Sequence, residues 1–136
     1  MADYERVVRE WIAGAPYAEK LGVICEEVEV DRVVMRLPWA PDHATIGDRV
    51  HGGAIASLVD IVATGVCWAT PELTESTRGT TIGFSISFLN AGRAQDLLAT
   101  GRVVQRGRSI VVAEVDVRGS DGKHVARASV TYKRSG

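Results

Sequence analysis

The residues with chemical potential fall within one stretch of ten. His51-Gly52-Gly53 stands at the start of a long apolar run, and Asp60 is the sole charged residue among the nineteen from Gly52 to Thr70. Unpaired NH groups at a helix start attract negative charge, and glycine lets a ligand come close to that backbone. The triplet therefore suits a developing oxyanion. Taken alone, it equally describes a plain helix start with a satisfied histidine. Asp60 shifts the balance, because a buried ionised carboxylate without a partner is costly and is normally paired, protonated or kept for chemistry. Its purely structural alternative is a hydrogen bond to Ser or Thr in the core or at a dimer contact.

Helical geometry constrains how the two features can cooperate. Nine residues at ~1.5 Å and ~100° each place Asp60 about 13 Å along the axis from His51 and on the opposite face. One ester or thioester carbonyl cannot touch both within a single chain. If they act together, the carboxylate meets the glycine NH groups of another subunit, and a two-fold dimer would create two equivalent sites.

The surrounding elements must hold this helix. Gly52 to Ala69 is apolar on most sides and ends before Pro71, the pattern of a helix enclosed by other structure. A central Asp and several small residues argue against a transmembrane span. Tyr4, Val7, Val8, Trp11 and Ile12 predict a short amphipathic helix over residues 3–13, stopped by Gly14 to Pro16. Leu21 to Leu37 reads as a hairpin turning at Asp31-Arg32, and residues 39–50 as a loop delivering the chain to His51. Ile82, Phe84, Ile86 and Phe88 alternate with Gly83, Ser85 and Ser87, as in a half-buried strand. Further strands are expected at 97–105, 109–118 and 124–133, the last two joined at Asp121-Gly122. The sum is a single α+β domain over residues 1–136, an antiparallel sheet of about six strands curled around one long helix.

Composition fits that picture. With 46% hydrophobic and 24% charged residues and a formal charge of -1, the chain has the make-up of a globular domain and no field to attract nucleic acid or an anionic membrane. The charged N-terminal segment lacks the apolar stretch of a signal peptide, so a cytoplasmic location is expected. Cys25 and Cys67 lack metal-ligand spacing and read as structural, with Cys67 in the apolar run.

HGGAIASLVD, together with TTIGFSISFLNAGRA and the RVVQRGRSIVVAEVDVRGSDGKHVARASVTYK ending, resembles the hotdog-fold acyl-CoA thioesterases of the phenylacetic acid degradation type. These belong to the 4-hydroxybenzoyl-CoA thioesterase superfamily. The resemblance covers nearly the whole chain. It implies a hydrolase acting on small to medium acyl or aryl thioesters, with no metal and no cofactor beyond the coenzyme A of the substrate, working as a homodimer or a dimer of dimers. Asp60 would be nucleophile or general base, Gly52 the oxyanion donor from the neighbouring subunit, and His51 the group positioning thioester or loop. Thr81 stands where the family often places a hydroxyl that holds the attacking water, though it also reads as an ordinary strand residue. Thr45 stands where many relatives carry Asn; its hydroxyl can donate a hydrogen bond but does not reproduce an amide.

Coenzyme A carries phosphates, which call for local basic groups. Gln105-Arg106-Gly107-Arg108-Ser109 at a strand junction combines arginine forks with backbone NH groups, and in the resembling family this segment meets the nucleotide end. Arg93 is a second candidate, and Gly53 would support the backbone cradle. Ile55, Val59, Phe84 and Trp68 are candidates for the acyl pocket, and any core would contain such residues too. Three other readings compete: a non-catalytic acyl-CoA-binding module, favoured by Thr45; a hydratase, for which His43 and His124 offer no arrangement; and a structural dimerisation protein.

Overall fold

The structure, a computed structural model, describes residues 3–136. Helix α1 (Asp3–Val7) runs into a π-helical turn (Val8–Ile12), followed by α2 (Pro16–Leu21), strands β1 (Ile24–Glu29) and β2 (Arg32–Leu37), and a 3-10 turn (Pro41–His43). Then come α3 (Gly52–Trp68), β3 (Arg78–Phe88), β4 (Leu97–Arg106), β5 (Ile110–Gly119) and β6 (His124–Ser135). The six strands form one antiparallel sheet in the order β1-β2-β4-β5-β6-β3. The α+β class and the sheet wrapped on one long helix are as expected. No helix among the described residues is long and apolar enough to cross a membrane.

Period-two patterning sets the inner face. Val33, Met35 and Leu37 of β2, Leu97 and Ala99 of β4, and Val111, Ala113, Val115 and Val117 of β5 are buried. They close on Leu58, Val59, Val62, Ala63 and Val66 of α3, forming a single core. Fully burying each of the Val, Leu and Met side chains among these contributes roughly 1.5–3 kcal/mol. The helix lies so close to β4 that a Cβ on Gly101 would stand 2.8 Å from a Val62 methyl, so this strand position takes glycine for the sake of the approach.

Two expectations need correction. The stop expected at Gly14 to Pro16 is present, the first helical segment ending at Ile12, but Pro16 also opens a second helix that was not expected, at a first turn where the missing NH costs nothing and the fixed φ suits the helix. The β3 segment was expected to be half-buried, yet Ile82, Phe84 and Phe88 are 57%, 44% and 56% exposed. The reason is topological: β3 is an edge strand paired only with β6, with a bulge between Thr81 and Gly83.

Candidate active site

The helix start is built by its own capping residue. His51 is extended (φ -62, ψ 137) and its Nδ1 accepts the Gly53 NH at 2.7 Å. The neutral ring therefore carries its proton on Nε2. The Ala54 and Ile55 NH groups both go to the His51 carbonyl, at 2.9 and 3.2 Å. Of the donors in this first turn, only the Gly52 NH makes no hydrogen bond among the described residues. Gly53, expected beside it in the cradle, has its NH committed to His51.

Gly52 opens into a cavity of about 260 Å³ shared with Thr45, Arg49, Phe88 and Asn90. The structure thus brings Thr45 to the glycine end of the helix. Sequence reading missed Arg49, a cation without an ion pair among the described residues, because a lone arginine in a polar loop carries no local signal. It lies opposite Arg93 across an isolated bridge.

Asp60 lies two turns further on, half-buried in the cleft between α3 and β3. Thr81 Oγ1 donates to its Oδ1 at 2.7 Å, and Oδ2 has no partner among the described residues. One oxygen is thereby held in place while the other stays available, and the Thr81 lone pairs remain free to accept from a water. The cleft has a volume of about 440 Å³ and is also lined by Tyr17, Ser57, Ile61, Ile82 and Phe84. Tyr17, on the helix that was not expected, bonds Ser57 Oγ at 2.8 Å, and Ser57 in turn donates to the Gly53 carbonyl at 2.9 Å. Gly52 does not line this cleft, so within one chain the free NH and the free carboxylate oxygen face separate spaces.

The strand-junction segment divides. Gln105, Arg108 and Ser109 are exposed, while the Gly107 NH closes the turn onto the Ile110 carbonyl at 2.8 Å. Arg106, expected at the nucleotide end of coenzyme A, turns inward instead. Its guanidinium takes Asp31 at 2.8 and 3.0 Å and the carbonyls of Cys67 and Val66 at 2.9 and 3.2 Å. With a side chain only 15% exposed, it caps the negative end of α3 and ties the β1–β2 turn to it. Arg106→Met should lower the unfolding free energy by about 2–3 kcal/mol through the orphaned carbonyls, read by urea denaturation. Arg93 pairs with Asp48 at 3.0 Å on the surface.

Of the residues expected to line the acyl pocket, Val59 is core, Ile55 is buried but borders the Gly52 cavity, and Phe84 and Trp68 stand at two other cavities. Burial pushes the Cys67 thiol up to about 12 and raises Cys25 as well, so neither supplies a thiolate near neutrality. Among the described residues no cluster of three or more His, Cys, Asp or Glu could hold a metal.

Comparison with known proteins identifies the family. The family model described as Thioesterase superfamily matches residues 47–126, which contain both Gly52 and Asp60. A medium/long-chain acyl-CoA thioesterase of Salmonella typhimurium is 30% identical over 132 residues, covering 86% of this chain and 84% of that protein. A thioesterase family protein from Silicibacter pomeroyi superposes with a TM-score of 0.86 at 22% identity, covering 96% and 97% of the two chains. The Escherichia coli PaaI protein from the phenylacetic acid degradation operon gives 0.80 at 21% identity, covering 95% and 94%. With its hotdog fold and more than half its length matched, the chain belongs to the thioesterase superfamily, in the class of thioester hydrolases.

Proposed function

We propose that the protein hydrolyses acyl-CoA thioesters, with Asp60 as the catalytic carboxylate. The observation that carries this is a carboxylate in the α3–β3 cleft with Oδ1 fixed by Thr81 and Oδ2 open. As general base, Oδ2 takes the proton of a water that attacks the thioester carbonyl. The oxyanion is held by the Gly52 NH of a second copy, aided by the helix dipole, and the C–S bond then breaks as protonated Asp60 returns its proton to the departing sulfur, giving the carboxylic acid and the coenzyme A thiol. As nucleophile, the same oxygen would displace the coenzyme A thiolate to form an acyl-aspartyl anhydride, which water then opens to the carboxylic acid and free Asp60, its second proton going to the thiolate. Arg108 and Arg49, neither in an ion pair among the described residues, would meet the coenzyme A phosphates, and Arg93 could join them by leaving Asp48.

Assembly is part of this reading. The exposed apolar side chains of β3, an edge strand with its outer side unpaired, are what a two-fold strand-to-strand contact would cover, and such a contact would bring a second α3 alongside the first. A relationship to the phenylacetic acid degradation type is supported by the quoted motif and by the structural likeness to PaaI. Measuring thiol release over acyl-CoA thioesters from acetyl to palmitoyl, and phenylacetyl, tests the activity. Hydrolysis of at least one at more than about 10⁴ M⁻¹s⁻¹ is expected. Thr45 in place of Asn favours one competitor, an acyl-CoA-binding module. That reading requires calorimetric binding with no thiol release from any member of the panel.

A further inference from the structure

The cavity at the start of α3 lies between two loops that the backbone ties together. The Val50 NH donates to the Gly92 carbonyl at 2.8 Å, and the Ala94 NH to the Asp48 carbonyl at 2.9 Å. Onto the cavity open the unpaired Gly52 NH and three polar side chains, those of Thr45, Arg49 and Asn90. At ~30 Å³ for a water-sized group, its volume of about 260 Å³ has room for a thioester group and the methylenes on either side.

The three side chains differ in how they are held. Neither the Thr45 hydroxyl nor the Arg49 guanidinium makes a hydrogen bond among the described residues, whereas Asn90 Nδ2 donates to the His124 carbonyl at 2.8 Å. Because a carbonyl accepts only from a donor, this bond fixes which end of the amide is nitrogen. One hydrogen of Nδ2 is thereby committed and the second is free. The backbone of the residue is anchored as well, since the Leu89 and Asn90 NH groups both go to the Val125 carbonyl, at 2.8 and 3.4 Å.

Stabilising an oxyanion depends on donors that are already in place when the charge develops. A tetrahedral oxyanion has lone pairs for more than one donor, and the first turn of α3 supplies a single free NH. Of the side chains on this cavity, only Asn90 is held ready. We propose that Asn90 is the second oxyanion donor: as the thioester carbonyl becomes tetrahedral, its oxygen accepts from the Gly52 NH and from the free hydrogen of Asn90 Nδ2. The inference rests on the acyl-CoA reading above and assigns a further residue within it. Asn90 supplies the amide that Thr45 lacks. It belongs to the same chain as Gly52 and faces the Asp60 of the second copy.

The test measures kcat and KM for Asn90→Ala, Asn90→Asp and Thr45→Val beside the wild type, on the member of the acyl-CoA panel that the wild type hydrolyses fastest, with thermal melting of each variant. Asn90→Ala should lower kcat by about 10²-fold, the worth of one oxyanion donor. KM should change by less than about threefold, since the neutral carbonyl of the bound thioester gains little from the donor. Asn90→Asp should be worse by a further factor of about ten or more, because it sets one negative charge against another. A residue that served only to hold His124 would show the two alike, as both lose the same bond, so equal kcat in Ala and Asp overturns the proposal. Asn90 is exposed, so the variants should melt with the wild type. Where Asn90→Ala does not fold, Asn90→Gln carries the test: it keeps the amide but displaces it by one methylene, an ångström-scale misplacement that costs about 10²-fold. Wild-type kcat in the folded variant, or a change confined to KM, overturns the proposal and leaves the thioesterase reading intact. A larger loss in Thr45→Val than in Asn90→Ala gives the role to the hydroxyl and also overturns it. Failure of the wild type on every thioester removes the activity itself, and this donor with it.

Discussion

Asp60→Asn is expected to lower kcat/KM by about 10²–10⁴-fold, the usual worth of a positioned proton acceptor, while leaving the fold in place. An amide keeps the acceptor at Oδ1 for the Thr81 hydroxyl, so the 2.7 Å contact can persist. What is lost is the basic Oδ2, and with it any means of taking a proton from water or forming an anhydride. Because the carboxylate stands in a cleft rather than in the closed core, removing its charge imposes little structural penalty. Thr81→Val separates holding from chemistry: it should reduce turnover by less than Asp60→Asn, since the carboxylate keeps its basicity and loses only its fixed orientation. Thermal melting of each variant provides the control. A melting temperature unchanged in Asp60→Asn, together with unchanged turnover, would remove Asp60 from the mechanism; a large fall in melting temperature would make it a structural residue.

Much of this was legible in the sequence, for identifiable reasons. The lone charge at Asp60 and the glycines at 52 and 53 are local signals, and the β-rich runs at 97–105, 109–118 and 124–133, punctuated by Arg106-Gly107 and Asp121-Gly122, mark β4, β5 and β6 to within two residues. Three things were not legible. The second helix was hidden because Pro16 is a breaker inside a helix and a starter at its first turn, and only the chain direction after Gly14 decides which. The burial of Arg106 was hidden because its partners, Asp31 and the last carbonyls of α3, are 39 to 75 residues away in sequence. The exposure of Ile82, Phe84 and Phe88 was hidden because alternation reveals which face is apolar, not what covers it. That last discrepancy is what the proposed two-fold contact would account for, since it would cover a face patterned for burial and left open by its own fold.

Mixing two inactive variants should restore activity if the site is shared between subunits. Gly52→Pro removes the one unpaired NH of the first turn of α3. Proline is well tolerated at the first helical position, and the preceding His51, at ψ 137, already has the extended conformation that precedes proline. A Cβ at residue 52 would meet only the Phe88 ring at 3.6 Å, an ordinary contact. The variant should therefore fold and lose turnover by about 10²–10³-fold, the cost of one oxyanion donor. Asp60→Asn supplies the complementary lesion. In a mixed dimer, the Asp60 of the Gly52→Pro chain faces the intact Gly52 of the Asp60→Asn chain, so one of its two sites is whole. Random reassociation gives half mixed dimers, hence roughly one quarter of wild-type activity after co-refolding at equal concentrations. If the carboxylate and the NH served the same carbonyl within one chain, every site in the mixture would carry a lesion and no activity would return. The cleft and the glycine cavity open to separate spaces in the single chain, and this geometry leads us to expect the quarter.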